Sequence, residues 1–350
     1  MSFLLYGATG YTGCLIAEAA VKAGLKPVVA GRSAAPLQAL AERLGLPFVV
    51  VSLDDDQGLR RALADVPFVI HAAGPFARTS APMVRACLEV GRDYLDITGE
   101  IEVFEALAAR SDEARAKNVM LLPGVGFDVV PSDCLLAHVA ARLPGARELH
   151  LGIQVVGSVS RGTATTAIEH MHEGGALRRE GRIIQSAIGS VQRRFDFGRG
   201  PRVCVSAPWG DVATAYHSTG VPNVTTYFPV PTVVRLGLPL MPLVRPLLAQ
   251  PWLQRLLIQR VRARAAGPDE AARALGRAIL VATAAQSDGR SVTSRLITPD
   301  GYALTVDAAL RIAGRVASGA REPGFMTPSR LLGVDFVLEL PGTSRVDLSA

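Results

Sequence analysis

Short apolar runs alternate with longer amphipathic stretches through the first 130 residues. The runs predict strands at 2–6, 26–30, 47–52, 67–72, 93–97 and 119–122. The stretches between them predict helices at 11–23, 34–44, 55–64, 78–90 and 101–117. Strands that are apolar on both faces and joined by helices are typical of a parallel, doubly wound α/β sheet of the Rossmann type.

The pattern changes after Pro131 and a helix at 132–142. Strands that look antiparallel are predicted at 148–156, 191–197, 202–207, 225–230, 275–286 and 291–298. Helices are predicted at 163–173 and 304–318, followed by a short segment at 329–332 and a final strand at 334–340. We therefore expect a Rossmann domain over 1–130 and a mixed α+β domain over 131–350 that serves substrate binding and dimerisation and whose C-terminal segment can return to the first domain.

A glycine turn follows the first strand directly. Gly7, Gly10 and Gly13 are spaced G-x-x-G-x-x-G between that strand and the next helix. Glycines allow a sharp turn and close approach of the backbone to phosphates, and a helix N-terminus offers free N–H groups. The turn therefore predicts a dinucleotide site whose residues are Gly7, Thr9, Gly10, Tyr11, Thr12 and Gly13.

The end of the second strand indicates which dinucleotide is bound. An acidic residue there holds the ribose 2′-hydroxyl of NAD, whereas Arg32 and Ser33 suit a 2′-phosphate. These two residues predict NADP(H), although Arg32 is also open to interpretation as an ordinary surface arginine. Asp54, after the third strand, is expected to reach the adenine. The alternative is that Asp54 and Asp55 belong to a solvated helix start with an Asp N-cap.

The nicotinamide half should pass the loop after the fourth strand, where small residues permit close approach: Ala72, Ala73, Gly74 and Pro75. Asp96 and Glu100, after the fifth strand, are the catalytic candidates, because two carboxylates in the crevice can bind an amine or relay a proton. The alternative for Glu100 is that it caps the helix that starts near Ile101. For Asp128 a structural role in its loop is expected.

Composition narrows the classes of partner. The formal net charge is +6, and no Asp or Glu lies between Asp211 and Asp269, a stretch that contains six arginines. Nucleic acid is an unfavoured partner, because this stretch lacks lysine and any binding motif. The basic, apolar segment 221–264 predicts either peripheral membrane contact or packing of the amphipathic helix 252–264 on its own domain or a second subunit.

The positions of the cysteines and histidines in the sequence indicate the cellular location of the protein and whether it binds a metal. Four scattered cysteines and a strand that begins at residue 2 predict reduced thiols, no signal peptide and a cytoplasmic protein, with the membrane surface as the alternative. His170 and His172 form an H-x-H pair, but residues two apart on a helix point to different faces. We therefore predict no metal site.

Further segments join the glycine turn in a recognisable set: 71–76, 94–100, 123–133, 160–163 and 325–329. With them the chain resembles the saccharopine dehydrogenase-like oxidoreductases, in particular the trans-acting enoyl reductase branch, over nearly its whole length. The resemblance implies an NADP(H)-binding Rossmann domain, a smaller substrate domain and hydride transfer. Two departures are Arg161, where the family commonly has glycine, and His71, where asparagine is frequent.

Two hypotheses on function follow. The first is an NAD(P)H-dependent reductase, a homodimer, that transfers a hydride to the C=C or C=N bond of an apolar or acyl-type small molecule. The chain lacks a Tyr followed four residues later by Lys, and Cys134 falls in a predicted helix, which argues against short-chain and thiol-dependent dehydrogenases. The second is a non-catalytic NADP(H)-binding sensor or trans-acting partner protein.

Overall fold

The computed structural model describes residues 2–157, 159–170, 174–263 and 266–348. The chain divides into two compact units. Unit 1 runs up to Val130 and includes Gly301–Pro341, whereas unit 2 comprises Pro131–Asp300 and the residues from Gly342 onward. The substrate and dimerisation roles expected of the second unit stay predictions.

The strands, in chain order, are β1 (Leu4–Tyr6), β2 (Val28–Gly31), β3 (Phe48–Val50), β4 (Phe68–His71), β5 (Asp93–Asp96), β6 (Met120–Leu122), β7 (Glu148–Val156), β8 (Gly175–Arg179), β9 (Arg182–Ser186), β10 (Gln192–Asp196), β11 (Pro201–Ser206), β12 (Asn223–Pro229), β13 (Arg277–Ala285), β14 (Ser291–Pro299), β15 (Gly324–Phe325) and β16 (Ser344–Leu348). The α-helices are α1 (Tyr11–Lys22), α2 (Ala34–Leu44), α3 (Asp56–Ala64), α4 (Phe76–Val90), α5 (Ile101–Ala109), α6 (Ser111–Ala116), α7 (Val130–Arg142), α8 (Arg161–His170), α9 (Asp211–Thr219), α10 (Thr232–Gly237), α11 (Met241–Leu248), α12 (Pro251–Arg262), α13 (Glu270–Leu275), α14 (Gly301–Ala317) and α15 (Pro328–Leu332). Short 3-10 helices lie at Leu238–Leu240 and Phe336–Glu339.

Unit 1 is built on a parallel sheet. Among the described residues this sheet has seven strands in the order β15-β6-β5-β4-β1-β2-β3. The central strands β1 and β4 are buried along their whole length, as their apolar sequences predict, and Phe3 stacks on Phe68 between them. The Rossmann-type prediction is confirmed.

The C-terminal part of unit 1 returns to this sheet. Helix α14 packs against α1, and β15 adds a parallel strand beside β6. Arg321 forms an ion pair of 2.9 Å with the buried carboxylate of Asp93, which also accepts a hydrogen bond from the Met120 N–H. The returning segment is thus held to the start of β5 by an ion pair and to β6 by strand pairing.

Unit 2 contains the predicted mixed structure. Its sheet has nine strands in the described part, with the path β10-β11-β12-β7-β13-β14-β16 and β8 and β9 attached beside β12. Only the pairing of β12 with β7 is parallel among the described strands. The consecutive residues Leu149–Ile153 of β7 are all buried, so both faces of the sheet are covered at this strand.

Two predictions near the chain's second half were wrong or incomplete. The strand predicted at 334–340 is a 3-10 turn, because Phe336, Val337 and Leu340 are buried with the spacing of a helical turn, and Leu338 N–H donates to the Asp335 carbonyl. The last strand is β16 instead. The β8–β9 hairpin was not predicted; its turn places Glu180 and Gly181 at φ of 45° and 76°.

The basic, apolar segment forms consecutive helices. The predicted amphipathic helix corresponds to α12, and α10, a 3-10 turn and α11 precede it. Within the described ranges, no helix combines the length and apolarity that crossing a bilayer requires.

Candidate functional site

The glycine turn of unit 1 packs tightly against the loop that follows β4. Gly7 has a φ of +84°, and a Cβ there would lie 2.7 Å from the Ala73 backbone nitrogen. A Cβ on Gly13 would lie 2.2 Å from the Gly7 carbonyl oxygen, which also accepts a hydrogen bond from the Gly10 N–H. Only glycine fits at both positions. The structure therefore brings together the two loops predicted to contact the two halves of a dinucleotide.

The turn ends where α1 begins. Gly10 is the N-cap of α1, Thr9 is exposed, and Tyr11 and Thr12 are half-buried in the first helical turn. The N-cap makes no side-chain hydrogen bond to the helix. A first helical turn directs its N–H groups outward with a partial positive charge, so this end of α1 fits a pyrophosphate.

At the end of β2 the residues fit a 2′-phosphate. Arg32 is exposed, and no described residue forms an ion pair or hydrogen bond with its guanidinium. Ser33 is the N-cap of α2, yet its hydroxyl makes no capping hydrogen bond. A cation and a hydroxyl that the protein itself leaves unused are suitable partners for a phosphate.

Asp54 lies near Arg32 but not in a helix cap. Tyr6 donates a hydrogen bond to the Val51 carbonyl, and burial raises the pKa of its hydroxyl. The positive charge of Arg32 partly lowers this pKa, and the negative charge of Asp54 adds to the rise. Both charges are therefore within electrostatic reach of the Tyr6 hydroxyl. Asp55 is the N-cap of α3 and accepts a hydrogen bond from the Gly58 N–H, as the alternative interpretation proposed.

The loop Ala72–Pro75 is fixed by side chains from α4 and from the loop after β5. Thr79 donates to the carbonyls of Ala73 and Pro75, at 2.6 and 3.0 Å. Glu100 accepts hydrogen bonds from the Phe76 and Ala77 N–H groups, at 2.8 and 2.6 Å. Glu100 therefore caps α4 with its carboxylate. By position it is also the N-cap residue of α5, as the alternative interpretation proposed, but its side chain makes no capping hydrogen bond to that helix.

Asp96 is fully buried at the end of β5. It accepts hydrogen bonds from the Tyr94 hydroxyl at 2.8 Å and from the N–H groups of Thr98 and Gly124, both at 2.9 Å. Burial raises the pKa of this carboxyl to about 6, and the hydrogen bonds partly oppose the rise. These contacts join β5 to the loop after β6, so Asp96 organises the crevice.

Asp128, which the sequence favoured as structural, lies half-buried in that loop. A Cβ on Gly99 would lie 2.9 Å from the Asp128 Cβ, which places Asp128 beside the end of β5. Burial and the nearby Glu100 carboxylate raise its pKa to about 6. Among the described residues, none donates a hydrogen bond to its carboxyl group. Sequence spacing could not distinguish this acid from Asp96, because only burial and hydrogen bonding separate them.

His71 completes the lining behind the loop. It is fully buried, contacts the Thr79 hydroxyl through Nε2 at 3.1 Å, and burial lowers its pKa to about 3. It is therefore neutral at physiological pH. As for metals, the described part of the chain contains no group of three or more ligating residues; His172 and the His170 side chain lie outside that part.

Comparison with known proteins identifies the N-terminal unit. Residues 3–122 match the family described as the saccharopine dehydrogenase NADP binding domain. This region is therefore similar to the NADP-binding domain of saccharopine dehydrogenases. Its cofactor is NADP(H), as Arg32 and Ser33 predicted, and the resemblance found in the sequence is confirmed.

Relatives and a solved structure extend the comparison. A Mycobacterium tuberculosis protein provisionally named a trans-acting enoyl reductase is 34% identical over 181 residues, which are 49% of this chain and 43% of the relative. The trans-acting enoyl reductase of Mycobacterium leprae is 33% identical over 138 residues, 37% of this chain and 33% of the relative. The matches thus span less than half of these relatives. The apo saccharopine dehydrogenase (L-Glu forming) of Saccharomyces cerevisiae shares the fold, with a TM-score of 0.67, 13% identity and coverage of 99% of this chain and 100% of that one.

Proposed function

We propose that this protein is an NADPH-dependent reductase that acts on a polarised C=C or C=N bond of an apolar, acyl-type small molecule. The observation that carries the proposal is Asp128, an acid whose pKa is raised to about 6 and which lies beside Gly99, within electrostatic reach of the Glu100 carboxylate that holds the start of α4. The names of the curated relatives favour an enoyl substrate.

In this proposal the chain holds and orients the cofactor. The first turn of α1 binds the pyrophosphate, Arg32 and Ser33 bind the 2′-phosphate, and Asp54 lies toward the adenine. The loop Ala72–Pro75, held by Thr79 and Glu100, supports the nicotinamide ring. NADPH, when bound, supplies a hydride.

The carboxylates then have separate roles. Reduction of a C=C or C=N bond by a hydride leaves a carbanion or an amide anion that needs a proton. Asp128 donates that proton, because a carboxyl with a pKa of about 6 is partly protonated near neutral pH. Asp96 and Glu100, proposed as catalytic from the sequence, become positioning residues in this account, since their oxygens are hydrogen-bonded to the backbone.

Oxidation of NADPH by a panel of enoyl thioesters, imines and carbonyl compounds tests the proposal. We expect oxidation with at least one enoyl or imine compound, and a fall of about a hundredfold or more in turnover for Asp128→Ala with unchanged NADPH affinity. Tight NADPH binding without oxidation of any compound would favour the second hypothesis, a non-catalytic sensor or trans-acting partner.

A further inference from the structure

Apolar side chains face solvent along one short part of unit 2. Of twenty large apolar residues that are exposed in the described part of the chain, nine lie between Val233 and Leu256. They are Val233, Val234, Leu236, Leu240, Leu243, Val244, Leu247, Trp252 and Leu256. Leu243 is 80% exposed and Trp252 is 58% exposed. Single exposed apolar residues are ordinary, but a concentration of this kind marks an interaction surface.

These nine side chains form what we call the apolar face. The helices that carry it, α10, the 3-10 turn, α11 and α12, follow one another in the chain and contact their neighbours. Helix α10 has no buried residue in the described structure. Helix α12 packs on α8 and buries Val261, while Trp252 and Leu256 point outward. The apolar face is therefore not used by the core of unit 2.

The charged residues of the sequence stretch that carries the apolar face have one sign. No acidic residue lies between Asp211 and Asp269, and Arg235, Arg255 and Arg260 have no ion-pair partner among the described residues. A two-fold interface formed by this stretch would bring together two surfaces of like charge, without a carboxylate from the stretch itself to balance them. An anionic surface that also accepts apolar groups complements both features.

We propose that the apolar face docks the protein on the surface of an anionic lipid bilayer. Leu243 and Trp252 enter the boundary between headgroups and acyl chains, and Arg255 and Arg260 bind lipid phosphates. Apolar insertion and charge attraction act together at such interfaces, and tryptophan prefers this depth. The docking is peripheral and independent of the reductase activity proposed above.

Co-sedimentation with vesicles tests the docking. The full chain is mixed with phosphatidylglycerol–phosphatidylcholine vesicles and with pure phosphatidylcholine vesicles. We expect binding to the anionic vesicles, at least about tenfold weaker for Leu243→Ser/Trp252→Ala and for Arg255→Gln/Arg260→Gln. Leu275→Ser is the matched apolar control, because Leu275 is 83% exposed but lies outside the apolar face. Arg61→Gln/Arg194→Gln is the matched charge control, because both arginines are exposed and form no ion pair with the described residues.

The outcomes separate lipid from protein partners. Loss of vesicle binding in both test variants, with both controls unchanged, supports the proposal. Absence of wild-type binding to anionic vesicles overturns it. It is also overturned if the Leu243→Ser/Trp252→Ala variant keeps vesicle binding, or changes only from dimer to monomer in light scattering. NADPH titration of each variant shows whether unit 1 remains folded.

Discussion

At the residue scale, an exposed guanidinium and an unused hydroxyl stand together after β2. Because the side chains of Arg32 and Ser33 make no hydrogen bond to the described protein, they are available to bind a 2′-phosphate. We expect Arg32→Ala to weaken NADPH binding about tenfold to a hundredfold, the cost of one charge-assisted contact, and to leave NADH binding nearly unchanged. Cofactor fluorescence titration measures both, with Arg61→Ala as the control. Equal affinity of the wild type for NADPH and NADH would contradict this role.

The raised pKa of Asp128 predicts that the stability of the protein depends on pH. The native carboxyl holds its proton up to about pH 6, whereas in the unfolded chain its pKa is 3.8. Between these two pKa values the folded state therefore binds more protons at Asp128 than the unfolded chain does. The contribution of Asp128 to the free energy of unfolding falls as the pH rises through this range.

Replacing this acid should reverse the effect. We expect Asp128→Asn to be more stable than the wild type by about 1–2 kcal/mol above pH 6, a value that allows for its partial exposure to water. Below about pH 4 the two proteins should be equally stable. Urea unfolding at both pH values measures the difference. A difference that does not depend on pH would show that the native pKa is ordinary and remove the basis for its acid role.

At the scale of elements, the glycine turn separates folding from cofactor binding. A Cβ on Gly10 meets only the Gly7 carbonyl oxygen, at 3.2 Å, and its φ of −73° suits any residue. A Cβ on Gly13 meets that oxygen at 2.2 Å. We expect Gly10→Val to fold but lose NADPH binding, because its side chain enters the phosphate path, and Gly13→Val to lose folded protein. Circular dichroism and NADPH titration distinguish them; normal binding by Gly10→Val would place the cofactor elsewhere.

The link between β5 and the loop after β6 depends on Asp96. Removing its side chain leaves the buried N–H groups of Thr98 and Gly124 without their acceptor. We expect Asp96→Ala to lower the free energy of unfolding by about 2–4 kcal/mol. Asp96→Asn should lose less, since its amide oxygen still accepts both bonds. Denaturant unfolding compares the two, and equal losses would argue against the hydrogen bonds as the cause.

At the scale of the whole molecule, the sequence predicted the parallel sheet well because its strands are apolar on both faces and regularly spaced. The strand predicted at 334–340 was wrong, because apolar residues alternate there as in a strand although the segment forms a helical turn. Local sequence patterns could not predict that Glu100 caps α4, because the N–H groups that it binds lie 23 and 24 residues away in the chain. The distinction between Asp96 and Asp128 likewise depends on burial, which two acids in similar loops do not reveal.

The central claim is hydride transfer from NADPH bound in unit 1, and one measurement tests it directly. The wild type and Gly10→Val are incubated with an enoyl thioester and NADPH that carries deuterium at the transferred C4 position, and the product is analysed by mass spectrometry. We predict one deuterium per reduced product with the wild type and no product with Gly10→Val. Reduced product without deuterium, or equal product from both proteins, would contradict it.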